Sequence, residues 1–184
     1  MKKTILIIAG IVVVLLLIGV SIYNNLVGLN TSVDGQWAQV ETQYQRRLDL
    51  IPNLVESVKG VMSQEKDVFG AIAEARTRYT NAGTPEDRAA AANAVEGSLA
   101  RLIAVMENYP QLKSADTVNT LMAQLEGTEN RVSVERKRYN DLVQEYNATI
   151  KRIPTNIFAG ILGFDARNYF EADEAAATAP QVKF

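Results

Sequence analysis

The sequence predicts an all-α protein: an N-terminal transmembrane helix followed by an elongated antiparallel bundle of three long helices plus a short C-terminal helix. Three observations lead there. A run that is apolar apart from Gly10, Gly19 and Ser21, Ile5 to Ile22, opens the chain. Beyond it, apolar residues recur in steps of three and four, the period of one face of an α-helix. Capping and breaking residues then cut that pattern into long pieces, with no alternating β-pattern and no domain-sized repeat between them.

Length and composition set the bounds. The chain has 184 residues, enough for one domain and an anchor. It contains neither Cys nor His. That removes disulfides, His-based triads, His metal ligands and His proton shuttles. Formal charge is −2, and without Lys2 and Lys3 the remaining 17 basic side chains face 21 acidic ones. Such a body has no basic surplus to neutralise phosphates, so nucleic acid is not an expected partner.

Residues 1–23 read as the anchor. As a helix, Ile5 to Ile22 extends about 27 Å, close to the ~30 Å hydrocarbon core of a bilayer. A cleaved signal peptide is the competing reading. Its apolar region is usually shorter and ends at a small-x-small site, whereas here the exit reads GVSIYNN. Lys2 and Lys3 precede the run and the next basic residue is Arg46. The positive-inside rule then gives a single-pass protein of the inner or plasma membrane, with a cytoplasmic N-terminus and a periplasmic or extracellular body. Tyr23 falls where interfacial aromatics anchor a span.

Residues 24–35 form a polar, small-residue neck, read as a helix with a soft joint. Residues 36–170 are the bundle. Its first helix carries Val33, Trp37, Val40, Tyr44, Leu48, Ile51, Val55, Val58, Met62, Phe69, Ile72 and Tyr79 as one stripe. Pro52 interrupts the backbone bonding but not the phase, which predicts a kink and no break. Thr80 to Gly83 end this helix. Thr84-Pro85-Glu86-Asp87 starts the second: Thr84 can cap, Pro85 suits the first turn and two acids face the helix N-terminus. It runs to about Asn108 and stops at Tyr109-Pro110. Ser114 is expected to cap the third helix, whose stripe is Val118, Met122, Leu125, Val132, Tyr139, Leu142, Tyr146, Ile150 and Ile153. Pro154 closes it. Thr155 to Phe170 brings a second cluster of large apolar residues, interrupted by Gly160 and Gly163. Residues 171–184 are an acidic, Ala-rich tail.

One stretch within the first helix, RRLDLIPNLV at Arg46–Val55, followed by Val58-Lys59-Gly60, resembles the signature of the LemA family of bacterial membrane-anchored helical proteins. Further pieces agree: Glu74-Ala75-Arg76, ENYPQLK at Glu107–Lys113, EGTENRVSVERKRYN at Glu126–Asn140, EYNATIKRIP at Glu145–Pro154, and GFDARNYFEA from Gly163. The likeness runs from the apolar segment to the last residue. It implies a role around the envelope without a defined activity.

Several constellations invite a functional reading, and each has a plainer one. Glu65 and Arg76 lie three turns apart in the apolar stripe. They are expected to pair with charges on the third helix such as Glu129, Arg131 or Glu135 and to fix register. Tyr139-Asn140 and Tyr146-Asn147 repeat at seven residues. The expectation is core tyrosines with bonded hydroxyls beside asparagines that set pairing. Glu126, Glu129, Glu135 and Glu145 suggest a di-iron site, but that site in a helical bundle needs His. Ser57 near Lys59 and Ser63 near Lys66 lack an oxyanion loop. The double arginine Arg46-Arg47 either binds an acidic partner or pairs with Asp49 and Glu41. Trp37 is either core or partner contact.

The reading is therefore a non-enzymatic, membrane-anchored scaffold or adaptor of the bacterial envelope that self-assembles. The alternative is an extracytoplasmic sensor acting through a membrane partner. No catalytic, cofactor-binding or metal-binding residue is assigned. The partners are the lipid bilayer, identical copies and other membrane proteins. Candidate contacts are Trp37, Arg46, Arg47, Phe158, Leu162, Phe164, Tyr169 and Phe170. Of these, Phe158 and Leu162 are expected to face inward and Phe164, Tyr169 and Phe170 outward.

Overall fold

The computed structural model describes residues 2–170, apart from the side chain of Lys113. The tail expected at 171–184 lies outside the described residues. Among these, six helices follow in order and no strand occurs: α1 Lys2–Lys59, α2 Lys66–Asn81, α3 Pro85–Met106, α4 Pro110–Lys113, α5 Asp116–Lys151 and α6 Thr155–Leu162. They fall into two compact units. One comprises α1 up to Ala38 with Lys137–Tyr169, and the other Gln39–Arg136 with Phe170.

Residues 24–35 are helical throughout, as part of α1. Pro52 lies inside the same helix and supplies no N–H for the Leu48 carbonyl. The expected single helix to Tyr79 instead divides, with α1 ending at Lys59 and α2 beginning at Lys66. Gly60 is a poor helix former, and the turn that follows bonds Met62 N–H to Val58 C=O at 2.9 Å and Glu65 N–H to Met62 C=O at 3.0 Å. Met62 is wholly buried within that turn, so the apolar seam survives the break.

In the second unit, α1 buries Val40, Tyr44, Leu48, Ile51, Leu54 and Val58. Against them come Val68, Ile72, Ala75 and Tyr79 of α2, Ala92, Val95, Leu99 and Leu102 of α3, and Leu121, Leu125 and Val132 of α5. Each fully buried Val, Leu or Ile contributes about 1.5–3 kcal/mol over leaving it exposed. That outweighs the helix propensities, which differ by less than about 1 kcal/mol per ordinary residue. The α3 start is built as its sequence indicates: Thr84 is extended, its hydroxyl accepts from Asp87 N–H, and Pro85 opens the helix. Ser114, expected to cap the third long helix, instead donates its hydroxyl to Gln111 C=O and closes α4.

In the first unit, Leu26 and Val33 of α1 pack in a core with Tyr139, Val143, Tyr146 and Ile150 of α5 and Ala159 of α6. The Trp37 ring meets Tyr139 edge to face at 5.6 Å. α6 ends at Gly163, whose φ of 75° lets Phe164 N–H reach back to Ala159 C=O at 3.0 Å. From Gly163 to Tyr169 the chain has no regular secondary structure and forms a strap.

Candidate functional site

The strap is held in the first unit by three α5 side chains that bond to its backbone. Tyr146 Oη donates to Asp165 C=O at 2.9 Å, and Tyr139 Oη donates to Asn168 C=O at 3.2 Å. Asn147 brackets the Arg167 backbone: its Nδ2 donates to Arg167 C=O and its Oδ1 accepts from Arg167 N–H, both at 2.8 Å. The seven-residue repeat puts both tyrosines on one face of α5 and Asn147 beside the second. Arg167 in turn pairs with Asp34 and donates to Asn30 Oδ1 at 3.0 Å, both on α1. Burial pushes the Tyr146 hydroxyl up from its ordinary pKa, and the Arg167 charge opposes that shift. The hydroxyl is therefore a donor across the ordinary pH range.

A second cluster sits in the other unit around Arg136 of α5. Its guanidinium pairs with Glu96 of α3 at 2.7 Å, donates to Asn93 Oδ1 at 3.2 Å and bonds to Tyr44 Oη of α1. Tyr44 Oη also lies 3.2 Å from Glu96 Oε1. The guanidinium stands 4.5 Å from the centre of the Phe170 ring and 5.3 Å from that of Tyr44, and the two rings stack at 6.5 Å. Burial lowers the Arg136 pKa to about 10, which leaves the side chain charged at neutral pH. The cluster thus encloses a cation neutralised by one carboxylate and two ring faces.

Two further ion pairs tie the same helices. Arg47 of α1 pairs with Glu129 of α5, and Arg88 of α3 pairs with Glu41 of α1. Burial lowers the Arg47 pKa, opposed by the Glu96 charge. Tyr44 with Arg136 and Arg47 with Glu129 give α1 and α5 an antiparallel register in this unit. Glu65, expected to pair with the third long helix, accepts from the Tyr109 hydroxyl at 3.0 Å. That bond raises the Tyr109 pKa.

Arg46 and Arg47 part company, because consecutive helix residues point about 100° apart. Arg47 is buried, whereas Arg46 is exposed on a shallow groove of about 440 Å³ with Asp49, Leu50, Gln124, Gly127, Thr128 and Arg131. Asp49 accepts from Gln45 at 2.8 Å and is not the partner of the arginine pair. The other candidate contacts divide similarly. Trp37 is half-buried on Tyr139. Phe158 is half-buried against α1, where a Cβ on Gly19 would lie 3.1 Å from its ring. Phe164 is half-buried on Tyr23, ring centres 5.9 Å apart. Leu162, expected to face inward, is exposed, and Tyr169 is exposed as expected. Phe170, expected to face outward, turns inward because the Arg136 cation and the stacked Tyr44 ring give it partners there.

Residues 36–184 match the LemA family. The chain belongs to the LemA family. Among curated relatives, it is 28% identical over 182 residues to magnetosome protein MamQ 2 of Paramagnetospirillum magneticum, an alignment covering 85% of this chain and 67% of the relative. Magnetosome protein MamQ 1 of the same organism gives the same figures. Magnetosome protein MamQ of Magnetospirillum gryphiswaldense is 28% identical over 189 residues, covering 87% of this chain and 70% of the relative. In this LemA-family chain the signature RRLDLIPNLV contributes to the α1 core through Arg47, Leu48, Ile51 and Leu54, and leaves Arg46 outside. Family membership and the apolar start of α1 together support association with a membrane.

Proposed function

We propose that this LemA-family chain is a membrane-anchored helical scaffold or adaptor of the bacterial envelope, without catalytic activity of its own, that assembles with identical copies. One observation carries the reading. From Ile5 to Ile18 the large apolar side chains of α1 are between 40% and 71% exposed, on every face of the helix. An apolar helix exposed all round is covered by lipid. α3 is also long and apolar enough to cross a membrane, but its apolar positions Val95, Leu99 and Leu102 are buried in the second unit. The charges of the body support a structural role. Arg47, Arg88, Arg136 and Arg167 each pair with a carboxylate on another helix or across the strap, an arrangement that fixes register. Likeness to magnetosome proteins adds that such a body can serve a specialised cellular structure.

Lys2 and Lys3 orient the span with its N-terminus in the cytoplasm and the body outside. External protease on spheroplasts is expected to remove a C-terminal tag, and protection until lysis overturns the orientation. Full-length protein in mild detergent is expected to sediment as an oligomer, and a monomer overturns self-assembly. Saturable turnover of an ester, nucleotide or phosphate substrate, abolished by one substitution, overturns the non-catalytic part. The sensor reading is favoured by a single observation, that α1 continues from the apolar segment to Lys59 without a break.

A further inference from the structure

α6 and the residues before it expose an apolar face that the first unit leaves uncovered. Ile153 is 83% exposed, Ile157 59%, Ile161 77% and Leu162 43%. Ile153, Ile157 and Ile161 follow one another at four-residue steps, and Ile157 and Ile161 share one side of α6. The rest of the helix is committed: Ala159, on the opposite side, is buried, and Phe158, on the flank, lies against Gly19. Gly19 belongs to the apolar run of α1, three residues before its end at Ile22. At about 1.5 Å per residue, the Phe158 contact therefore lies ~4.5 Å inside that end. Just past the end, Tyr23 holds Phe164. Directly before Ile153 come Lys151 and Arg152, both exposed. Apolar side chains, flanking cations and a fixed position beside the last turn of the span thus occur together.

We propose that α6 is a second membrane contact: Ile153, Ile157, Ile161 and Leu162 immerse in the bilayer interface beside the α1 span, with Lys151 and Arg152 at anionic phospholipid headgroups. The occupant follows from continuity. Phe158 and Phe164 dock α6 and the strap on the segment of α1 that enters the lipid, so the uncovered face of α6 lies at the level where hydrocarbon gives way to headgroups. Interfacial helices of this kind bury their apolar face about 5–10 Å into that boundary and gain from basic residues beside it. Each basic residue near an anionic surface raises the occupancy ratio by about fivefold. Packing against Gly19 keeps the face next to the membrane without a lipid anchor of its own. The inference rests on the reading that α1 spans the membrane, and its test separates the two.

The chain has no cysteine, so one introduced cysteine carries a fluorophore at a unique place. The probes are Ile157→Cys, Ile161→Cys, Leu15→Cys in the span and Glu74→Cys on the surface of α2. All four are exposed positions, and each full-length variant is required to keep the parent's circular dichroism. The labelled proteins are placed in nanodiscs of phosphatidylcholine and phosphatidylglycerol carrying a nitroxide either near the headgroup or near the acyl chain end. Labels at 157 and 161 are expected to be quenched by the shallow nitroxide and to lose iodide quenching several-fold relative to the label at 74. The label at 15 is expected to answer to the deep nitroxide. If it does so while 157 and 161 are as open to iodide as 74, the interfacial contact is wrong and the span stands. If the label at 15 is itself open to iodide, the span reading fails and the inference with it. If 157 and 161 escape both iodide and nitroxide, a protein surface covers them and the lipid occupant is wrong.

Discussion

Replacing Asn147 with Ala probes the attachment of the strap at its most exposed dependence. The side chain is buried and makes two 2.8 Å bonds to the backbone of one residue, donating to Arg167 C=O and accepting from Arg167 N–H. A neutral hydrogen bond contributes about 0.5–1.5 kcal/mol net, so losing both costs about 2 kcal/mol. The loss reads out locally, because a strap that lets go costs the protein no more than the free energy of its docking. A change of 2 kcal/mol corresponds to roughly thirtyfold in an opening equilibrium. Amide exchange in mild detergent, followed by mass spectrometry, is expected to show the 165–168 segment exchanging faster by about that factor. Tyr146→Phe removes only the bond to Asp165 C=O and is expected to shift the same segment by about fivefold, matching ~1 kcal/mol. Tyr139→Phe, whose bond to Asn168 C=O is the longest of the set at 3.2 Å, is expected to do less. Unchanged exchange in Asn147→Ala, or a larger effect from Tyr139→Phe, refutes the claim that these side chains hold the strap.

Three other perturbations test the body. Glu96→Ala strips the carboxylate from Arg136 and is expected to cost about 2–3 kcal/mol in urea unfolding, below the 3–5 kcal/mol of a fully buried pair because both partners keep some solvent. Arg136→Met is expected to cost less, and the reverse order contradicts the buried-cation account. Burial raises the Tyr79 hydroxyl to about 12 from an ordinary value of 10.0. The unfolded chain therefore releases that proton first, and stability is constant below pH ~10 and falls as pH rises from there toward ~12. Tyr79→Phe is expected to remove about 1–2 kcal/mol of that loss, a figure reduced for residual solvent at the ring; an identical alkaline profile counts against the shift. Val58→Asp or Leu125→Asp buries a charge at positions 0% and 4% exposed, costs several kcal/mol and is expected to lose helical circular dichroism. Val134→Asp, at a position 48% exposed, is the control and is expected to stay within ~0.5 kcal/mol.

Where local chemistry decides, sequence and structure agree. Thr84 caps α3 because its own hydroxyl reaches Asp87 N–H within one turn, and the long apolar start of α1 is a matter of length and polarity. Where neighbouring apolar residues compete, periodicity leaves a tie. The period assigns Val55, Met122 and Leu142 to the stripes, but Leu54, Leu121 and Val143 are the more buried member of each pair. Adjacent residues differ by only about 100° on the helix, and facing side chains choose between them. The division at Gly60 is hidden because Val58 and Met62 stay buried through it. Partners distant in sequence are hidden for another reason. Nothing local to Glu65 or Arg47 says that Tyr109 and Glu129 are the ones they meet. The Tyr-Asn repeat is visible, but its target is not, since a peptide backbone leaves no trace in residue identity.

That last point bears on how this molecule tolerates change. Tyr139, Tyr146 and Asn147 bond to the N–H and carbonyls of the strap, groups that nearly every amino acid supplies. Asp165 and Ala166, both exposed, are thus free to vary while the path of the chain stays fixed. Arg167 is held as well by its side chain, through bonds to Asp34 and Asn30, as Phe164 is by Tyr23. Asn147 has no such latitude, because Ala offers neither group and Asp keeps only the acceptor. Substitutions along the strap and along α5 therefore carry unequal weight, and within the strap proline tells where the backbone itself is held: at 167 it deletes the N–H that Asn147 binds, whereas at 166 it removes no N–H bonded to the clamp.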